Sequence, residues 1–224
     1  MTLHLSADTW RTNADLIAEV AEFWDFDSTV RRAIDLTYNQ GKWWRVWQPT
    51  FLAKNDLDAR FGDYHFDYRG RLPWADGSFD LVAFDPPYVS SGGRRTSTIH
   101  GMNDSYGITT SALSPGLNQE WIDLGLKQAV RVCKIGGWIL CKVQDYRSSG
   151  KMFLGTHHTL TSALKLDVEV EAVYHHVGRP RAQPKKNPDG SPREQKSPRN
   201  NVSTLYLFRK TNPSNPEPQG GTQP

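Results

Sequence analysis

FDLVAFDPPYVSSGG, residues 79–93, decides how the rest of the chain is read. Phe79 to Phe84 form a short, nearly continuous apolar run, the pattern of a strand buried on both faces of a sheet. The run stops on Asp85, Pro86, Pro87 and Tyr88. Two prolines hold φ near −65°, so the acid, a proline carbonyl and an aromatic face sit on a rigid corner at the mouth of that strand.

Upstream, Leu16, Ile17, Val20 and Phe23 recur at helical spacing within Asp15–Trp24 and predict an amphipathic helix. Ala33, Ile34 and Leu36 read as a short buried strand that closes on Gly41, with a tight turn and a new helix after it. Phe51 to Lys54 read as a second strand ending in Asp56 and Asp58, and Asp63 to Tyr68 as a third short one. Asp76, Gly77 and Ser78 mark a turn before the quoted run.

Downstream, Trp121, Leu124, Leu126, Ala129, Val130 and Cys133 predict a helix that ends at Gly136 and Gly137. A strand over Trp138–Val143, a helix over Lys151–Asp167, a strand alternating at Val168, Val170, Ala172 and Tyr174, and a last strand over Asn201–Lys210 complete the order. Strands alternating with helices imply an α/β fold, a mostly parallel sheet with helices on both faces. The last two strands are joined by a basic loop instead of a helix, so they are expected as antiparallel neighbours at one edge. The expected organisation is one domain over residues 1–210, with a basic loop 178–200 inserted between the last two strands and a disordered tail over 211–224 that is rich in Pro, Gly, Asn and Gln.

With 23% charged and 37% hydrophobic residues, the chain of 224 has the balance of a soluble globular core. No apolar run approaches the roughly 18 residues needed to cross a bilayer. The opening MTLHLSADTW lacks a basic segment followed by an apolar one, so a cytoplasmic location is expected. Cys133 and Cys141 both lie in apolar patterns and read as core residues. The pairs His157, His158 and His175, His176 lack the spacing of a metal site, and no metal is expected.

Charge is uneven. From Arg179 to Arg199 there are seven basic residues, including Arg181, Lys185 and Lys186, against Asp189 and Glu194. That surplus exceeds the net charge of +3 of the whole chain and suggests a polyanionic partner. The stretch of about thirty residues after Tyr88, rich in Gly, Ser and Thr and carrying Arg94 and Arg95, is expected to close over a substrate, with those arginines on phosphate.

In open α/β sheets ligands bind beyond the carboxyl ends of the strands. Asp35, Asp56, Asp67 and Asp85 are expected there. Any one of them alone is better explained as a turn or helix-cap residue; four on one rim point to a ligand with sugar hydroxyls and amino groups. The turn LTYNQGKWW has a single glycine and no GK[ST] ending, which argues against a phosphate cradle and for a nucleoside without phosphates.

On these residues, DPPY after a strand in this order of elements resembles the motif of class I amino-methyltransferases that act on exocyclic amines of nucleobases. AIDLTYNQG keeps only the acid and last glycine of that family's usual Asp-x-Phe-x-Gly-x-Gly loop. The resemblance implies a Rossmann-like class I methyltransferase fold and S-adenosyl-L-methionine as cofactor. It implies a loop around the methionine part from Asp35, Thr37, Tyr38 and Gly41, a ribose acid in Asp56 with Asp58 as rival, and an adenine contact from Asp67. Asp85, Pro86, Pro87 and Tyr88 would hold a flipped-out base. N6 of adenine in DNA is the leading substrate. RNA (adenine N6 or guanine N2), N4 of cytosine in DNA, and an inactive nucleic-acid-binding protein on the same fold are the alternatives.

Overall fold

The computed structural model describes residues 10–87, 114–148, 151–178, 189–191 and 202–212. α1 (Asn13–Phe23) starts at a capping box in which the Thr12 side chain accepts from the Asp15 N–H and the Asp15 side chain from that of Thr12. Its Leu16, Ile17 and Val20 are buried. A single turn, α2 (Phe26–Thr29), leads into β1 (Arg32–Asp35). After it come β2 (Phe51–Lys54) and β3 (Phe79–Phe84).

α3 (Pro115–Val132) begins with Ser114 as N-cap and proline in its first turn, an arrangement that satisfies the free N–H groups of a helix start. β4 (Cys133–Gln144) follows directly. β5 (Tyr146–Ser148) and β6 (Lys151–Phe153) form a small antiparallel pair, then come α4 (Gly155–Ala163), β7 (Val168–Val177) and β8 (Val202–Lys210).

The main sheet has the order β2-β1-β3-β4-β8-β7. The pairs β2–β1, β1–β3 and β3–β4 are parallel, whereas β8 runs antiparallel to both β4 and β7. One face carries α1 and α2, where Leu16, Ile17, Val20 and Phe26 pack with Ala33, Leu81, Trp138, Leu140 and Leu205. The other carries α3, where Ile122, Leu126 and Ala129 pack with Ile34, Val82, Ile139 and Phe208. Sheet and covered faces agree with the expected fold class, including the antiparallel terminal strand. Among the described residues no helix is long and apolar enough to cross a membrane.

Four local expectations are corrected. The helix after Gly41 is a single 3-10 turn, Lys42–Trp44: the Trp44 indole is tied to Asp35, Gln48 takes the Trp44 carbonyl at 2.8 Å, and Pro49 cannot continue a helix. The strand over Asp63–Tyr68 is reduced to one bridge, Asn55 to Tyr64. There the Asn55 side chain acts as the missing partner, accepting from the Phe66 N–H at 2.9 Å and donating to the Phe66 carbonyl at 2.9 Å. Cys133 belongs to a strand instead of the helix end, since it pairs with Phe79; the register then slips before Leu81 meets Trp138, with Gly136 at φ +72° in the slack. Lys151–Phe153 are strand β6, held by the Tyr146 and Phe153 rings stacked at 5.6 Å, and only Gly155–Ala163 is helical.

Candidate active site at the carboxyl edge of the sheet

From β1 the chain turns one way to β2 and later returns on the other side as β3. Such a reversal of strand order opens a crevice beyond the strand ends. Asp35 closes β1 there and is 4% exposed. Its Oδ1 accepts from the Thr37 N–H at 2.9 Å and its Oδ2 from the Trp44 indole at 2.7 Å. Burial pushes its carboxyl up to about 7, against the pull of those two donors, and the nearby Asp85 and Asp56 charges push the same way as burial.

The turn that follows is bonded on all sides. The Thr37 hydroxyl oxygen accepts from the Asp85 N–H at 2.8 Å, tying the β1 turn to the β3 corner. Tyr38 N–H donates to the Asn55 carbonyl at 2.9 Å, and its ring lies under the Lys54 ammonium at 5.6 Å. Gly41 stands at φ +61°, and a Cβ there would run into the Tyr38 phenol. Glycine is required on both counts.

Asp56 is buried beyond β2, with its Oδ2 on the Asn39 N–H at 2.7 Å and its Oδ1 on the Asp58 N–H at 2.9 Å. Burial raises its carboxyl. Asp58 instead grips Arg60, whose guanidinium holds the carboxyl down to about 2. Of the two acids, Asp56 is the one joined to the 37–41 turn. Asp67 is drawn away: Arg69 binds both its oxygens, through Nε at 2.8 Å and a terminal nitrogen at 2.6 Å, and lies over the Trp121 ring at 4.1 Å.

Asp85 follows β3 directly. Trp43 hydrogen-bonds its carboxylate, yet Oδ1 is buried and has no partner among the described residues. Burial raises this carboxyl, while the charge of Lys142 and the Trp43 bond act to lower it. Pro86 is buried and Pro87 half-buried behind it. Tyr88, Arg94, Arg95, Arg179, Arg181, Lys185 and Lys186 lie outside the described residues.

Two participants were not assigned from the sequence. Trp43 is buried in the α1-side core, and its indole also serves Asp85. Lys142 is 4% exposed; its only signal was a lysine inside the apolar run WILCKV. Among the described residues no cluster of three or more His, Cys, Asp or Glu side chains has metal-binding geometry.

No family model matches the chain, and none of the curated proteins matches it. Solved structures do share its fold. One is a protein assigned by inference as a sarcosine dimethylglycine methyltransferase from Galdieria sulphuraria, with TM-score 0.53 and 10% identity over 88% of this chain and 85% of the other. A second is the [4+2]-cyclase SpnF, with TM-score 0.51 and 12% identity over 88% and 80%. A third is assigned by inference as a hemolysin from Lactococcus lactis, with TM-score 0.51 and 12% identity over 89% and 87%. The chain has the Rossmann-like fold of class I methyltransferases. At these identities the likeness is one of fold, and a fold hosts many reactions.

Proposed function

We propose that this chain is an S-adenosyl-L-methionine-dependent methyltransferase acting on the exocyclic amino group of a nucleobase, with N6 of adenine in DNA as substrate. The observation that carries the proposal is the Asp85 corner: it stands at the sheet's switch point, is bonded to the β1 turn through Thr37, and presents a buried carboxylate oxygen without a donor among the described residues. Leaving such an acceptor unsatisfied costs roughly 1–3 kcal/mol. An arriving amino N–H would offset that cost.

The acids around the crevice fit a cationic nucleoside. Asp35, Asp56 and Asp85 are each raised by burial, and the charges of Asp56 and Asp85 reach Asp35. A cluster of this kind favours a positive ligand, and a sulfonium is one. Asp35, Thr37, Tyr38 and Gly41 would hold the methionine part, Asp56 the ribose hydroxyls, and Asp67 the adenine amino group in competition with Arg69. When bound, the cofactor supplies an electrophilic methyl group.

An aryl amine is a poor nucleophile because its lone pair is delocalised into the ring. Asp85 Oδ1 and the Pro86 carbonyl accept its two N–H bonds and so localise the pair, and the prolines preorganise both acceptors. The proton shed after transfer passes to Asp85, whose raised carboxyl suits it to accept one. Tyr88 stacks on the base, which recovers about 1–3 kcal/mol of the few kcal/mol spent in flipping it out of a duplex. Arg94, Arg95, Arg179, Arg181, Lys185 and Lys186 meet the phosphates, so affinity falls as salt rises.

The test is incubation of purified protein with methyl-labelled cofactor and DNA or RNA, followed by digestion to nucleosides. N6-methylated deoxyadenosine is the expected product. Label in RNA or on cytosine N4 would move the substrate to that alternative, and label in neither nucleic acid would end the proposal.

A further inference from the structure

Several elements meet around the Asp85 carboxylate on the face of the sheet that carries α1. Lys142 comes from β4, on the same side of its strand as Trp138 and Leu140, both members of the α1-side core. The parallel register of β3 and β4 ends with Phe84↔Cys141, so Asp85 and Lys142 are the next residues along the two strands. Lysine is almost never fully buried without an opposite charge, because its ammonium loses hydration worth several kcal/mol. On the other flank, β8 places apolar Leu205 opposite Lys142.

Other titratable groups near this corner have their own partners among the described residues. Asp35, from β1, has both oxygens engaged by Thr37 and Trp44. His176, from β7, donates to the Trp10 carbonyl at 3.2 Å; burial and the Lys142 charge hold its imidazole below the usual range, while Asp15 of α1 acts the other way. The Cys141 thiol belongs to the core on the opposite face. Asp85 is the carboxylate whose ionisation Lys142 favours.

We propose that Lys142 is a positioning residue for the reaction, holding Asp85 as an anion so that its unpartnered oxygen accepts the target N–H. Burial alone would drive Asp85 toward the neutral acid, which donates a hydrogen bond where an acceptor is needed. The Trp43 indole aligns the carboxylate, and Lys142 supplies the charge that keeps it ionised. The role presupposes the methyltransferase reading, but its test does not.

The experiment is a carbon-13 carboxyl NMR titration of Asp85, its signal assigned by its loss in Asp85→Asn, in wild type, Lys142→Met and Lys142→Arg. An opposite charge at such range lowers a carboxyl by about 1–3 pH units. Lys142→Met should therefore raise the Asp85 midpoint by at least about one pH unit, and Lys142→Arg should keep it near the wild-type value. The acid limb of kcat/KM should move by the same amount, with the KM for cofactor unchanged. A merely structural lysine would lower Tm without moving either midpoint. If Lys142→Met does not fold, Lys142→Gln takes its place. An unchanged midpoint in a folded charge-free variant overturns the inference even if methyl transfer is observed. A raised midpoint in a protein that transfers nothing supports the electrostatic role and refutes the methyltransferase reading instead.

Discussion

Thr37→Val isolates the bond between the β1 turn and the Asp85 corner. The threonine hydroxyl accepts from the Asp85 N–H at 2.8 Å in a part-buried setting. Valine keeps the shape and loses the acceptor, so the N–H is left with whatever water can reach it. An orphaned donor costs about 1–3 kcal/mol when fully buried, and partial access to water places this one in the lower part of that range. At about 2–4 °C per kcal/mol for a domain of this size, Thr37→Val should melt about 2–8 °C below wild type. Thr37→Ser keeps the acceptor and loses one methyl group, worth about 0.8 kcal/mol or less at a half-exposed site. Thermal melts of the two variants, with calorimetric titration of the sulfonium cofactor, give the comparison. Serine should stay close to wild type in cofactor affinity, and valine should bind several-fold more weakly because the turn is no longer anchored. A valine variant that melts within about 1 °C of wild type and binds cofactor equally well would show that the bond does not hold the two segments together.

Gly125→Ala should cost about 1–3 kcal/mol by overpacking, because its Cβ would lie 2.7 and 2.8 Å from the two Cε atoms of the buried Phe84 ring; urea unfolding measures the loss, and adding Phe84→Leu should return part of it. Asp35 has its carboxyl raised to about 7, above its ordinary 3.8. A raised carboxyl favours the folded state while it is protonated, so its contribution is full below about pH 4 and is lost as pH rises through about 7, at about 1.4 kcal/mol for each pH unit between the two values. The stability of wild type relative to Asp35→Asn should thus fall by about 4 kcal/mol between pH 4 and pH 8, and parallel pH curves in urea unfolding would contradict it.

What could be read in the residues was local and periodic. FDLVAF and FLAK match β3 and β2 at both ends because each run is apolar enough, and cleanly enough bounded, to have one reading. Where a side chain stands in for backbone, the pattern misleads: the Asn55 amide completes a pairing that Asp63–Tyr68 was expected to make as a strand. The Trp44 indole likewise ends a turn where Lys42 and its neighbours suggested a helix. Asp67 and Arg69 are visible as neighbours in sequence, but only the loop shape brings the guanidinium onto both oxygens. Lys142 belongs beside Asp85 through the register of β3 and β4, and register between strands more than fifty residues apart is not written in either one. Of the four acids expected on one rim, Asp35, Asp56 and Asp85 lie close enough for their charges to act on Asp35, with Thr37 tying the β1 turn to the β3 corner, whereas Asp67 is engaged by Arg69.

The central claim is that Asp85 receives the amine that is methylated. Its most direct measurement is mass analysis of nucleosides from the DNA of cells expressing wild type or Asp85→Ala, with both proteins shown to be folded and equally abundant. N6-methyladenine above background with wild type and at background with Asp85→Ala is the predicted result. Equal methylation with both proteins would contradict it.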